Sequence, residues 1–139
     1  MNIGAAFPWT GEGDARPVGY FHFEPGEAFV GGGLWHPDKA PLHGFRRLVD
    51  GDAARVHAIT DDPAFAATFG SLIGDRLTRV PQGYRADHPE ADLLRLKNIG
   101  FSHRLSDADL ASRELPDQLV ASLATGVPML RLLATLPIS

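Results

Sequence analysis

The stretch VGYFHFEPGEAFVGGGLW, from Val18 to Trp35, decides the fold of this chain. Two runs rich in aromatic and aliphatic residues, Val18–Phe23 and Ala28–Trp35, flank Glu24-Pro25-Gly26-Glu27. In this turn sequence proline presets one backbone dihedral and glycine permits a positive φ at the next position, so the stretch predicts a β-hairpin. Apolar residues alternate on both sides of each strand, and we therefore expect other elements to cover both faces.

The triple glycine Gly31-Gly32-Gly33 raises the question of whether the second strand cradles a phosphate or a cofactor. A dinucleotide-binding loop needs glycines spaced around a strand-to-helix turn, and a P-loop needs Gly-Lys-Ser/Thr. Neither pattern is present. Within a strand, glycines let a backbone or an aromatic ring lie flat against the chain, or they form a bulge. We therefore predict a structural role for the triple glycine.

Helical patterns follow the hairpin and predict an α+β fold in a single domain, 1–139, with a small, mainly antiparallel sheet packed by several short helices. Met1–Pro17 is interpreted as a loop or a fragment of an edge strand. Alternation predicts two later strands, Arg76–Val80 and Asn98–Leu105. The predicted helices are Asp38–Val49, Asp52–Ile59, one capped by Asp62 and ended by Gly70, one opened by His88-Pro89, a short one begun by Ser106, Pro116–Ala124 and Pro128–Leu136.

Composition argues against several classes of protein. Thirteen Lys and Arg against seventeen Asp and Glu give a net charge of -4, and the scattered basic residues disfavour nucleic-acid binding. No stretch reaches the roughly 18 consecutive apolar residues of a membrane span, so we expect no membrane insertion. The absence of cysteine excludes disulfides and is typical of a reducing compartment. Because the first residues also lack a signal-peptide pattern, we expect a cytoplasmic protein.

No pattern of histidines or nucleophiles defines a reaction. The six histidines show no tight ligand spacing, His36 with His43 being the nearest approach, and no nucleophile elbow is present. Asp87 could orient His88 as a base, but adjacent residues rarely face each other on a helix, and His88 fits a cap before Pro89. We therefore predict no metal and no cofactor, and whether the protein is an enzyme stays open.

A group of cationic residues suggests anion binding instead. Arg76 and Arg79 lie shortly before the turn Pro81-Gln82-Gly83-Tyr84, and Arg95 and Lys97 end the helix that follows. Together with a tryptophan and the flat glycine surface they could line a cleft for a carboxylate or a phosphate. The alternative is a solvated face of ion pairs. The candidate ligand-binding residues are Gly33, Trp35, Arg79 and Lys97.

Several stretches of the chain resemble a known family. They are VGYFHFEPGEAFVGGGLWHP, FGSLIGDRLTRVPQGYRADHPEADLLRLKNIGF and the closing, proline-punctuated helices, with GGGLWHP, RVPQGY, DHP and LLRLKNIGF as the most specific parts. Over nearly its whole length the chain resembles the uncharacterised family filed as domain of unknown function 2461. The resemblance implies an α+β fold in bacterial and some fungal proteins, with no established reaction, cofactor or partner. The positions that match motif residues of the family are Gly33, Trp35, Arg79, Pro81, Gly83, His88, Pro89 and Lys97.

One departure from the family pattern concerns the N-terminus. Members of the family typically carry a longer N-terminal region with an arginine- and lysine-containing motif, so the resemblance implies that this chain corresponds to the C-terminal part of a longer domain. If that region carries functional basic residues, this version of the chain would be inactive; alternatively, a second copy of the chain would supply the missing cover for the hairpin.

Two functional hypotheses follow. The first is a cytoplasmic α+β binding or structural module of unknown activity that forms a homodimer through an exposed sheet face. The alternative is an enzyme or ligand-binding protein for a small anionic molecule in a cleft lined by Trp35, Arg79 and Lys97. A deep pocket converging on Arg79 and Lys97 would favour the alternative, and a flat apolar sheet face would favour the module.

Overall fold

The computed structural model describes residues 3–8, 17–24, 26–35 and 37–137, and within them the strands form one four-stranded antiparallel sheet in the order β1-β2-β3-β4. The predicted α+β fold with an early hairpin is confirmed. The strands are β1 (Ile3–Pro8), β2 (Val18–Glu24), β3 (Glu27–Leu34) and β4 (Ile99–Arg104). The helices are α1 (Lys39–Thr60), α2 (Pro63–Phe69), α3 (Ala91–Leu94), α4 (Asp107–Ala111) and α5 (Leu115–Ala134).

The hairpin of β2 and β3 forms where the turn chemistry predicts it. Tyr20 pairs with Gly31, His22 pairs with Phe29, and Gly26 has a φ of 80° in the turn. Pro25 of the predicted turn lies outside the described residues, as does His36. The predicted edge strand within Met1–Pro17 is β1, whose Ile3–Pro8 pairs with β2, whereas residues 9–16 lie outside the described part.

One face of the sheet packs against α5 and α2 and forms the core. A side chain at Gly32 would meet Leu130 of α5 and the ring of Phe101, which also occupies the space beside Gly126. Phe101 in turn packs between Phe65 and Phe69 of α2, with ring centroids 5.5 Å and 4.8 Å away. The glycines of β3 and α5 therefore make room for an aromatic ring, which is the packing role that the sequence predicts.

Gly33 and Gly100 make a second close contact on the opposite face. Gly33 has a φ of +143°, and a Cβ there would overlap the carbonyl oxygen of Ile99. At Gly100, a Cβ would overlap the indole ring of Trp35, which lies directly on the strand. The end of the glycine run is thus a site of close backbone and ring packing, and Trp35 fills the space that a side chain at Gly100 would need.

Two pairs of predicted helices meet in the structure in different ways. Asp38–Val49 and Asp52–Ile59 correspond to the two halves of α1, which are separated at a kink by the non-helical residue Asp52, with φ -153° and ψ 57°. The predicted separation of Pro116–Ala124 from Pro128–Leu136 is wrong, because Pro128 lies inside α5, which continues to Ala134. An interior proline removes one helical hydrogen bond. The helix continues because its apolar residues on both sides of Pro128 are held against the sheet, and this packing outweighs the lost bond.

The predicted strand Arg76–Val80 is wrong. Arg76 makes only an isolated bridge to Leu96, and the N–H of Leu77 donates to the carbonyl of Arg95 at 2.7 Å. Pairing begins earlier, where Ile73 exchanges two backbone hydrogen bonds with Gly100. The alternating pattern of RLTRV therefore does not produce a strand, because the residues after Leu77 have no partner strand among the described residues.

Two short helices begin where their capping residues predict. The carboxylate of Asp62 accepts the N–H of Phe65 at 3.3 Å, and α2 ends before Gly70 with its φ of 71°. Ser106 and Asp109 form a complete capping box at the start of α4, and the hydrogen bonds from Ser106 hold the pKa of Asp109 below its usual range. Among the described helices, none combines the length and the apolar character that a membrane crossing requires.

Candidate functional site

The turn Pro81–Tyr84 places one aromatic side chain against α1. The carbonyl of Pro81 accepts the N–H of Tyr84 at 3.2 Å, and Gly83 has a φ of +99°. A positive φ at the third position is the signature of a type II turn and strongly favours glycine. The predicted turn is therefore confirmed, and it directs Tyr84 towards the core cluster, where its ring is partly buried.

A cavity of about 430 Å³ lies between this turn and α1, and we call it the basic cleft. His43, Arg46 and Arg47 stand three and four positions apart along the helix, so they share one face of α1. Among the described residues that line the cleft, none is acidic. The arrangement concentrates positive charge at one place on a chain whose net charge is negative. The lining residues are His43, Arg46, Arg47, Pro81, Gln82 and Tyr84.

Arg46 is the buried cation of the basic cleft. Its side chain is only 8% exposed, its Nε donates to the carbonyl of Leu94 at 3.1 Å, and its Nη2 donates to the carbonyl of Leu96 at 3.3 Å. Within the described part of the chain, no carboxylate forms an ion pair with it. Burial lowers the pKa of Arg46, an effect that the nearby Tyr84 partly opposes. The positive charge is thus desolvated without a neutralising partner.

A second cavity, of about 420 Å³, also has Tyr84 in its lining, and we call it the Arg79 cavity. Its Arg95 donates from Nε to the carbonyl of Leu77 at 2.8 Å, and its Nη1 lies 3.7 Å from Asp92. Arg79 itself is exposed and has no ion pair among the described residues. The lining residues are Thr78, Arg79, Val80, Tyr84, Ala86, Ala91 and Arg95.

The structure places the four predicted ligand-binding residues in different surroundings. Arg79 lines the cavity named after it, whereas Gly33, Trp35 and Lys97 line neither that cavity nor the basic cleft. Lys97 is exposed, and its backbone N–H donates to the carbonyl of Asp75 at 2.7 Å. Of the cations predicted for one cleft, Arg79 and Arg95 line the Arg79 cavity, whereas Lys97 does not.

Trp35 directly follows β3, and its ring contacts Tyr20 of the sheet. The ring centroids of the two residues are 6.1 Å apart, and Trp35 Nε1 is buried without a hydrogen-bond partner among the described residues. Burial raises the pKa of Tyr20. These contacts explain the position of Trp35 through packing in the sheet.

Two pairs of histidine and carboxylate fix the segment after the turn to α1. Nε2 of His88 lies 2.9 Å from Oδ1 of Asp50, and Nε2 of His57 lies 2.7 Å from Oε1 of Glu90. The backbone N–H of Glu90 donates to Nδ1 of His88 at 3.0 Å, which leaves Nε2 as the nitrogen that donates to Asp50. The prediction that His88 caps this helix is wrong, because α3 spans only Ala91–Leu94 and has Glu90 at its N-cap.

A third cavity, of about 430 Å³, lies near the His57–Glu90 pair and has acidic character. Asp61, Glu90 and Asp92 are among its lining residues, together with apolar side chains such as Leu72. In the described part of the chain, no group of three or more histidine, cysteine or acidic residues is arranged to hold a metal ion. The segment after the turn therefore separates a basic region around Tyr84 from an acidic one beside His57.

Sequence reasoning missed Arg46, although the chain carries a signal for it. Leu42, Phe45 and Val49 define the apolar stripe of α1, and Arg46 lies four positions after Leu42, on the same stripe. An arginine inside an apolar stripe indicates either a side chain that reaches the surface or a buried cation. The carbonyl groups of Leu94 and Leu96 that receive it are about fifty positions away and leave no trace in local spacing.

A comparison with protein families identifies the chain. The family described as "Conserved hypothetical protein (DUF2461)" matches residues 1–131. The chain belongs to the DUF2461 family. No curated protein and no solved structure matches it.

The DUF2461 match covers the whole candidate site. Residues 1–131 include α1 with Arg46 and Arg47, the turn before Tyr84, and Arg79. The description of DUF2461 assigns no reaction, ligand or partner. The geometry and charge of the site are therefore the features of this DUF2461 chain that bear on its function.

Proposed function

We propose that the protein is a binding module for a small anionic ligand, which it holds in the basic cleft. The observation that carries this proposal is Arg46, a buried arginine that borders a cavity and has no acidic partner among the described residues. A desolvated charge is costly unless an opposite charge neutralises it. A phosphate or carboxylate in the cleft would provide that neutralisation.

The neighbours of Arg46 suit the same ligand. Arg47 is exposed at the cleft and has no ion pair among the described residues, so its guanidinium is free to close on an anion. His43 adds a further nitrogen donor on the same helix face. Arginine matches phosphate and carboxylate because its planar group can donate two parallel hydrogen bonds. The cleft thus combines one fixed cation with one adaptable cation.

Anion binding is tested by thermal unfolding in the presence of inorganic phosphate at constant ionic strength. We expect phosphate to raise the Tm of the wild-type protein, and we expect Arg47→Gln to weaken the response at least about tenfold in apparent affinity. Arg55→Gln is the matched control, because Arg55 is exposed on the same helix and lines neither the basic cleft nor the Arg79 cavity. Equal phosphate responses of the wild type and Arg47→Gln would contradict the proposal.

We also propose that the protein is cytoplasmic and forms a homodimer through the sheet face opposite α5. The absence of cysteine supports the location. The face carries Tyr20, His22 and Phe29, whose rings pack together with centroids 5.6 Å and 5.1 Å apart. The edge of this face near the hairpin turn carries an exposed acidic residue, Glu27, and an exposed basic residue, Arg104. In a dimer with two-fold symmetry, Glu27 of each copy could lie opposite Arg104 of the other.

The dimer is tested by sedimentation of the purified protein. We expect a mass twice the 15.0 kDa of one chain, and we expect Phe29→Ser to lower it towards the monomer because the substitution removes an aromatic contact from the face. We expect a dimer dissociation constant in the micromolar range. A wild-type protein that stays monomeric at a concentration of about 100 μM would therefore argue against this interface.

A further inference from the structure

We infer that the ligand carries two anionic groups, one bound in the basic cleft and the other in the Arg79 cavity, with Tyr84 between them. The inference rests on the proposed function and specifies the class of ligand. Tyr84 lines both cavities, which have similar volumes of about 430 Å³ and 420 Å³. Each cavity is lined by two arginines, and neither has an acidic residue among its described lining.

The two cavities repeat one arrangement of cations. In the basic cleft Arg46 is fixed by hydrogen bonds to the carbonyls of Leu94 and Leu96, and in the Arg79 cavity Arg95 is fixed by the carbonyl of Leu77. The second arginine of each cavity, Arg47 or Arg79, is exposed and has no ion pair among the described residues. Each of the two cavities therefore has one preorganised and one adaptable guanidinium, as two binding sites for anionic groups would require.

An ion pair at the Arg79 cavity makes the two subsites differ in their affinity for an anion. Arg95 lies 3.7 Å from the exposed Asp92, which neutralises part of its charge, whereas Arg46 has no such neighbour among the described residues. We therefore assign the stronger subsite to the basic cleft and the weaker one to the Arg79 cavity. A single anion occupies the cleft first, and the second subsite contributes when the ligand carries another anionic group.

The ring of Tyr84 defines the middle of the ligand. A partly buried aromatic side chain shared by both cavities presents apolar surface to the body that joins the two anionic groups. Linking two groups turns the second binding event into an intramolecular one and raises affinity without new kinds of contact. The ligand class is therefore a small molecule with two phosphate or carboxylate groups, such as a sugar bisphosphate.

Calorimetric titration at fixed ionic strength tests the inference with three probes: inorganic phosphate, a sugar monophosphate and the corresponding bisphosphate. We expect the bisphosphate to bind at least about tenfold more tightly than the monophosphate. Arg79→Gln should bring the bisphosphate to the affinity of the monophosphate and leave the monophosphate unchanged. Arg47→Gln should weaken all three probes, and Arg55→Gln should weaken none. Both Arg47 and Arg79 are exposed, so circular dichroism should show that the variants are folded.

The outcomes separate this inference from the proposed function. Equal affinity for the monophosphate and the bisphosphate, with binding of phosphate retained, would overturn the two-subsite inference alone. A bisphosphate affinity that Arg79→Gln leaves unchanged would overturn it as well. Failure of all three probes to bind the wild-type protein would remove both the inference and the proposed function.

Discussion

Replacing Gly33 with alanine is expected to destabilise the protein by about 3 kcal/mol, because the substitution combines backbone strain with overpacking. The φ of +143° at Gly33 is a conformation that residues with a side chain rarely adopt. A Cβ would also overlap the carbonyl oxygen of Ile99 and come within 2.7 Å of the Cα of Gly100. Both obstacles are backbone atoms of the paired strand β4, so relief requires that the strands separate.

Chemical denaturation with a matched glycine control measures this effect. Gly51→Ala is the control, because Gly51 is an exposed residue of α1 with open space where the added methyl group would lie. In a helix, alanine is favoured over glycine by up to about 1 kcal/mol, so we expect the control to be as stable as the wild type or more stable. If Gly33→Ala unfolded at the same denaturant concentration as the wild type, the close packing of β3 on β4 would be refuted.

Replacing Arg46 with methionine is expected to lower the free energy of unfolding by about 2 kcal/mol, since the carbonyls of Leu94 and Leu96 lose a charged donor. The loss is smaller than the sum of two such bonds because the substitution also removes a desolvated charge. Methionine fills a similar space with a flexible apolar chain, which limits the cavity left behind. The same variant should lose the response to phosphate.

Arg47→Met is the comparison that separates stability from binding. Arg47 is exposed, so we expect its substitution to leave the free energy of unfolding within about 0.5 kcal/mol of the wild type. Denaturation with and without phosphate should show stabilisation by the ligand in the wild type and a much smaller effect in both variants. If Arg46→Met kept the full phosphate effect, the buried charge would have no part in binding.

Local chemistry predicts much of the fold. The hairpin follows from its turn sequence and alternation, and the starts of α2 and α4 follow from Asp62 and Ser106, because a cap and a turn depend on only a few neighbouring residues. The strand expected at Arg76–Val80 and the helix break expected at Pro128 fail for the opposite reason. A strand needs a partner and an interior proline needs compensating burial, and both are decided by residues far away in the chain.

The candidate site is predicted less completely than the fold. Arg79 and the turn before Tyr84 stand out in the sequence, and the structure places both at the cavities described above. Arg46 and Arg47 were missed because they lie more than thirty positions before the turn that completes the cleft. Trp35 and Lys97 remain predicted ligand-binding residues whose positions are set apart from these cavities.

The kink of α1 has a consequence for the entropy of ligand binding. Asp50 lies before the kink at Asp52 and His57 lies after it, so the two halves of the helix each hold one end of the segment from His88 to Glu90. That segment begins four residues after Tyr84, and its two pairs to α1 order it when the chain folds. Binding of a ligand then requires little further ordering of the chain, so the affinity is not reduced by the conformational entropy that ordering a mobile loop would cost.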